Sequence, residues 1–402
     1  MARYRPYLDW LDGEAGGMAA LVEAWAEIGS GTANIAGLER MADELTCAFA
    51  PLGGAAERVP LPPVSVIGAD GEPREVRHGD LLRFTRRQEA PRQVLLAIHY
   101  DTVYGIDHPF QHCRRLDPDT LNGPGVADAK GGIVVMLYAL AALERSPFAG
   151  GLGWRVVLNP DEETGSLASA PVLATAARGA EFGMLFEPAL EDGTMAGARK
   201  GSGNFTLVVR GRAAHAGRDF ERGRNALTAL AAAVGEIDAL NGRRPGVTFN
   251  PGRIEGGGPV NVVPDLALLR FNVRVAEPAD ASWAAAELEA VTGRLRNRDG
   301  IRAELHGGFN RPPKPRDGAT RRLMEWVGRL GADLGIPVGW RDTGGCCDGN
   351  NLAAAGLPNV DTLGARGGSI HSADEFVRLD SLAERAKLSA LMLMRAGAGE
   401  RI

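Results

Sequence analysis

Residues 94–98, Val-Leu-Leu-Ala-Ile, form a continuous apolar run with no polar face, and this restricts the fold more than any other feature of the chain. A strand of that composition must be covered on both sides, as in the parallel sheets of α/β proteins. An apolar helical stretch follows at 131–145 (GGIVVMLYALAALER), then a strand at 154–158, a helix at 167–177 and a strand at 182–186. This βαβα order implies a mostly parallel sheet flanked by helices on both faces.

The texture changes near residue 200. Strands are expected at 204–209, 247–254, 266–275 and 301–305, with helices at 225–240 and 281–296. The order β-α-β-β-α-β is the split unit of ferredoxin-like domains. The stretch 310–315 (NRPPKP) breaks regular structure and reads as a linker back to the first domain. A helix at 320–334, a strand near 359–363 and a last helix at 381–395 complete the chain. The expected architecture is an α/β domain made of residues 1–200 and 310–402, interrupted by a ferredoxin-like α+β insert at 201–309.

Composition narrows the function. The 402 residues suffice for two or three domains with a core that needs no covalent staples. Lys plus Arg (45) against Asp plus Glu (50) leaves a net charge of −5, which offers no attraction to nucleic acid or an anionic membrane. The four cysteines, Cys47, Cys113, Cys346 and Cys347, lack CxxC spacing, and the adjacent pair is poorly placed for a disulfide framework. With no signal-like apolar run near the start, a cytoplasmic protein that neither binds nor spans a membrane is expected. Glycine, at 54 residues, is nearly twice its ~7% average and clusters beside polar residues, as in loops that bring backbone close to a ligand.

Carboxylates and histidines recur where the expected strands end, and ligand sites of α/β sheets lie outside those carboxyl ends. His99 and Asp101 close the first strand two residues apart, on one face, so Asp101 can orient the imidazole. Asp128 lies in a glycine-rich loop before a helix (GPGVADAKGG). Glu162 and Glu163 follow the next strand, and as adjacent residues they point apart, so that one can bind a metal while the other handles protons. Glu187 ends a third strand as Leu-Phe-Glu-Pro, and His371 lies in Ser-Ile-His-Ser-Ala-Asp-Glu. Each alone has an ordinary structural reading, as a helix cap, an Asx turn or a solvated loop. Together they form a nitrogen and oxygen donor set suited to zinc, with ligands enough for two ions sharing one carboxylate. No G-x-x-x-x-G-K-[ST], no G-x-G-x-x-G after the first strand and no G-x-S-x-G is present, which removes the common nucleotide-dependent and serine-hydrolase readings.

From about residue 90 to the C-terminus, these motifs resemble those of the co-catalytic zinc aminoacylase and carboxypeptidase family. That family includes glutamate carboxypeptidase, acetylornithine deacetylase and succinyl-diaminopimelate desuccinylase. The resemblance implies a zinc-exopeptidase type α/β domain with a lid and dimerisation insert. It implies two Zn2+ per chain, with cobalt or manganese as substitutes: His99 and Glu187 at one ion, Glu163 and His371 at the other, and Asp128 bridging. It also implies a cis peptide bond after Asp128 and Glu162 as general base for a metal-bridging water, whose pKa two zinc ions would draw from ~15.7 toward ~7. His215, in Ala-Ala-His-Ala-Gly, matches a histidine that reaches into a partner subunit's site, which implies a homodimer. Arg274 and Asn261 match residues beside the substrate, and a guanidinium suits a free carboxylate. The implied reaction is hydrolysis of an amide bond next to a free carboxylate in a dipeptide or small molecule. Glu at position 187 is similar to the glutamate carboxypeptidase and acetylornithine deacetylase branches. The alternatives are an N-acyl-amino-acid amidohydrolase and a non-catalytic relative that binds peptides or acylated amino acids. Residues 344–350 (GGCCDGN) stand where relatives carry Gly-Gly-Thr-Asp or Gly-Gly-Ser-Asp; the thiols replace a hydroxyl or act as small apolar residues. Lys200 is a further candidate for charge near the site.

Overall fold

A computed structural model describes all 402 residues. Three helices, α1 (Arg5–Gly13), α2 (Ala15–Ala26) and α3 (Ile35–Phe49), precede the strands β1 (Ala55–Val59), β2 (Leu81–Arg86) and β3 (Gln93–His99). After them come α4 (Gly131–Glu144), β4 (Gly153–Asn159), α5 (Ala170–Ala176) and β5 (Phe182–Leu185). The second layer follows as β6 (Gly201–Arg210), α6 (Ala226–Asp238), β7 (Thr248–Gly256), β8 (Leu266–Val275), α7 (Pro278–Arg296) and β9 (Arg302–Arg311). The chain ends with α8 (Gly318–Leu334), α9 (Asp348–Ala354), β10 (Asn359–Val360) and α10 (Asp380–Gly397).

The main sheet has the order β1-β2-β4-β3-β5-β10. The four strands β4, β3, β5 and β10 run parallel, and β2 and β1 add an antiparallel edge. The apolar run in β3 is fully buried because its alternate residues enter two different cores. Val94, Leu96 and Ile98 join α4 and α10 on one face, while Leu95 and Ala97 meet Leu173 of α5 on the other. The helical stretch Val126–Glu144 is long and apolar enough to cross a membrane, but here it is almost wholly buried and its apolar surface faces the core. Strand order reverses at β3: the path goes to β4 on one side, then returns to β5 on the other. The crevice at such a reversal is where α/β sheets bind ligands.

The second sheet, order β7-β8-β6-β9, is antiparallel throughout and carries α6 and α7 on one face over its own core of Phe205, Leu230, Phe271 and Leu288. This is the expected ferredoxin-like arrangement. The last strand is longer than 301–305: it continues to Arg311, and Lys314 beyond it is buried in an ion pair. The stretch NRPPKP is therefore packed structure and not a free linker.

A candidate dinuclear metal centre

The loops after β3, β4 and β5 and the loop before α10 converge on one cavity of about 490 Å³. His99, the last residue of β3, points its Nε2 at Asp128 Oδ1 (3.0 Å) and lies 3.9 Å from Glu187 Oε2. His371 Nε2 is 3.4 Å from Asp128 Oδ2 and 3.2 Å from Glu163 Oε2. One atom each of His99, Asp128 and Glu163 lies within 4.8 Å of the others. All five expected ligands thus form one cluster, with Asp128 at its centre between the two imidazoles.

Local structure holds each of them. Gly125, at φ 72°, turns the chain into the Val126–Lys130 bend, where the Asp128–Ala129 peptide is cis as the resemblance implied. A Cβ at Gly132 would stand 1.9 Å from the Phe186 carbonyl oxygen, so only glycine lets α4 begin against the strand end that carries Glu187. Behind His99, Nδ1 faces the Asp101 carbonyl at 3.0 Å and its carboxylate at 3.3 Å. Asp101 also accepts the backbone N–H groups of Glu162 (3.2 Å) and Glu163 (3.3 Å) and the Thr32 hydroxyl (2.6 Å). One buried carboxylate thereby fixes a histidine and the Glu162-Glu163 turn together.

The adjacent glutamates do diverge. Glu163 faces His371, whereas Glu162 Oε1 pairs with Arg311 at 2.8 Å. Arg311 also donates to the Glu162 carbonyl (2.7 Å) and to Ser166 Oγ (2.9 Å).

The electrostatics fit a cation. Burial drives the Glu187 and Glu162 carboxyls above their usual range and Glu163 to about 8, with Asp128 and neighbouring carboxylates adding repulsion. For Asp128, burial is outweighed by the two imidazoles, which hold its carboxyl low. Hydrogen bonds to Asp128 and Glu163 raise His371 to about 10. Burial opposes the same rise in His99, but Asp101 and Asp128 overcome it. Three buried carboxylates around two imidazoles are the donors that a borderline divalent ion such as zinc accepts, and positive charge there relieves their repulsion.

Of the other expected residues, Arg274 lines the cavity, but His215 and Asn261 do not. They sit side by side on an exposed loop pair, with the Ala216 N–H donating to the Asn261 carbonyl at 2.9 Å. Arg274 donates to Asn272 Oδ1 (2.8 Å) and to Cys346 Sγ (3.0 Å) and has no carboxylate partner. The two cysteines divide: Cys346 lines the cavity, and buried Cys347 caps α9 by accepting the Gly349 N–H at 3.3 Å. Lys200 does not line the cavity. Its neighbour Arg199 does, held by Asp361 at 2.8 Å. Sequence reasoning also missed Arg311, placed in the supposed linker, and Glu375, the last residue of the Ser-Ile-His-Ser-Ala-Asp-Glu motif.

A model of peptidase family M20/M25/M40 matches residues 95–395. Carboxypeptidase G2 of Pseudomonas sp. is 30% identical over 323 residues, which is 77% of this chain and 75% of that protein. A succinyl-diaminopimelate desuccinylase of Acidovorax ebreus is 28% identical over 364 residues, 84% of this chain and 88% of that protein. The crystal structure of an M20 family metallo-carboxypeptidase from Sulfolobus solfataricus superposes with a TM-score of 0.74 at 15% identity, covering 95% of this chain and 99% of that one.

Proposed function

The chain belongs to peptidase family M20/M25/M40 and is a metal-dependent peptidase or amidohydrolase; from that premise we propose that it cleaves an amide bond beside a free carboxylate, as a carboxypeptidase similar to the glutamate carboxypeptidases. The observation that carries this reading is the pairing of a complete donor cluster with an arginine in the same cavity that has no carboxylate partner, Arg274. Of the other arginines that line the cavity, Arg199 already has Asp361 and Arg311 has Glu162, while Arg341 is exposed to solvent. A carboxylate-bearing substrate completes Arg274 with a charge-assisted pair.

In this proposal, His99 and Glu187 would hold one zinc ion and Glu163 and His371 the other, with Asp128 contributing to both, and cobalt or manganese could replace zinc. The bound ions supply charge that polarises the scissile carbonyl and acidifies water. Glu162 is the proton carrier. Arg311 occupies its Oε1, leaving Oε2 to take a proton from water and deliver it to the leaving nitrogen, and burial favours the carboxyl state that this delivery needs. Asp101 keeps His99 Nδ1 directed inward so that Nε2 faces the metal position.

Residues 1–200 and 310–402 act as the catalytic unit and 201–309 as lid and dimerisation domain of a cytoplasmic homodimer. Supporting the dimer, Phe220, Ile254 and Val260 are exposed apolar residues (63%, 52% and 102%) on the insert that carries His215 and Asn261. A second copy covering that face would bring His215 and Asn261 to a neighbouring cavity, where the imidazole can donate to the developing oxyanion.

The test is elemental analysis of purified protein beside hydrolysis of C-terminal dipeptides, acyl-glutamates and other N-acyl amino acids, for wild type and Glu162→Gln. About two zinc per chain and turnover that chelator abolishes and Glu162→Gln nearly eliminates are expected, with a peptide as best substrate. A best substrate among simple acyl-amino acids would instead make it a deacylase. Protein that stays inert after zinc or cobalt is supplied would overturn the catalytic reading in favour of a binding relative.

A further inference from the structure

We infer that Glu375, which touches neither the cavity nor any donor side chain of the cluster, is the positioning residue that locks two metal ligands from distant parts of the chain into one geometry; this rests on the metal reading above. Glu375 is buried, at 1% exposure, and follows His371 by four residues. Its Oε1 accepts the backbone N–H groups of Ala127 and Asp128, both at 3.0 Å. Its Oε2 accepts the N–H of Gly125 at 3.2 Å and the Tyr104 hydroxyl at 2.8 Å. The carboxylate therefore holds the loop that presents Asp128 by three amide donors, one of them Asp128's own.

The other end of the clamp is the His371 loop. The Tyr104 hydroxyl shares its one proton between the Ser372 carbonyl (2.8 Å) and Glu375, and the Asn122 amide donates to the carbonyls of Ala373 (3.0 Å) and Glu375 (2.7 Å). Between Ser369 and His371 the backbone twice enters the left-handed region without glycine, at φ 52° and φ 63°. Each such residue costs roughly 1–3 kcal/mol and persists only where its surroundings over-determine it. The clamp supplies that restraint one turn away. His371 Nε2 and Asp128 Oδ2, 243 positions apart in sequence, are thereby held 3.4 Å from one another.

The residue type follows from donor counting. Four donors converge on one group, and only an ionised carboxylate offers acceptors on both oxygens with no donor of its own. Glutamine would turn an NH2 toward N–H groups and lose half of the contacts. A carboxylate buried beside an already crowded anionic cluster is also a costly choice for mere packing, whereas an apolar residue could fill the space.

The experiment measures zinc affinity of the metal-depleted protein by chelator competition, and the visible spectrum of the Co(II)-loaded form. It uses wild type, Glu375→Gln, Glu375→Asp and Tyr104→Phe, all checked as folded by circular dichroism. Glu375→Gln is expected to weaken zinc binding by about 10–100-fold, the usual scale for a residue that orients ligands, and to change the Co(II) bands. Tyr104→Phe should shift both in the same direction by less, and Glu375→Asp should recover part of the loss. If Glu375→Gln fails to fold, Tyr104→Phe decides. Wild-type affinity and an unchanged Co(II) spectrum in the folded variants overturn the inference alone; a wild-type protein that takes up no metal overturns it together with the metal reading.

Discussion

Replacing Asp361 by asparagine should destabilise the protein by about 3–5 kcal/mol at pH 7, the scale for removing one partner of a buried ion pair. Asp361 is fully buried and accepts from Arg199 Nε (2.8 Å) and Nη2 (2.9 Å) and from Lys314 Nζ (2.5 Å). Arg199 and Lys314 are themselves buried, so the variant leaves two cations with no anion between them. Burial alone would raise the Asp361 carboxyl, but the two cations win and hold it at about 2, down from 3.8. That difference corresponds to about 2.4 kcal/mol at 1.36 kcal/mol per unit. Because the folded pKa lies below the unfolded one, the contribution is complete above about pH 4 and is lost as pH falls through about 2. Urea unfolding of wild type and Asp361→Asn, at pH 7 and again between pH 4 and 2.5, measures both parts. The gap between the two proteins should be largest at pH 7 and narrow on acidification. A gap below 1 kcal/mol at pH 7, or one that stays constant down to pH 2.5, would refute the reasoning.

Three further outcomes concern the site. Arg311→Lys keeps the charge but gives up the planar guanidinium whose Nη2 reaches the Glu162 carboxylate, the Glu162 carbonyl and Ser166; at ~1.5–3 kcal/mol per charge-assisted bond, kcat should fall by about 10–100-fold with KM changed much less, and unchanged steady-state kinetics would remove Arg311 from the mechanism. Arg274→Ala should raise KM for carboxylate-bearing substrates by a similar ~10–100-fold and leave an amidated analogue, lacking the charge, almost unaffected; equal losses on both substrates would mean that Arg274 does not read the carboxylate. Equal mixtures of unfolded and refolded His215→Ala and Glu162→Gln chains, each inactive alone, should regain about a quarter of wild-type activity, since half of the dimers are mixed and each mixed dimer has one complete site; no recovery would mean that His215 serves its own chain or none.

The cluster of histidines and carboxylates was legible in the sequence because strands impose position. In a parallel sheet the residues after β3, β4 and β5 must emerge at one edge, so His99, Glu162-Glu163 and Glu187 are neighbours by topology although 88 positions separate the first from the last. Alternation also fixed which residues of β3 face which core, and so the apolar run alone announced a covered sheet. The three N-terminal helices left no comparable mark, and NRPPKP misled because proline signals a break in hydrogen bonding, not exposure. Arg311 ends a strand there, and its partner Glu162 lies on a different sheet's loop, a relation that no local spacing encodes. His215 and Asn261 show the converse: their motifs are visible, yet within one chain they stand on an exposed face outside the cavity.

What separates the visible residues from the hidden ones is the direction of the electrostatic problem. A metal ligand has to be a particular side chain at a strand end, so chemistry and topology both point to it. The groups that hold those ligands in place have only to deliver an acceptor or donor to backbone atoms, and they do so from wherever the fold brings the chain near. Asp101 accepts two backbone N–H groups of the Glu162 turn, Glu375 accepts three from the Asp128 loop, and Arg311 donates to a carbonyl. Amide groups carry no residue identity, and so these contacts leave no pattern of paired residue types. Yet a cluster in which three of the five donors are mutually repelling carboxylates stays together only if its loops are held from behind. The carboxylates Asp101 and Glu375, one after β3 and the other just beyond the His371 loop, brace different members of the cluster. Loss of either should loosen different ligands: His99 and Glu163 for Asp101, Asp128 and His371 for Glu375.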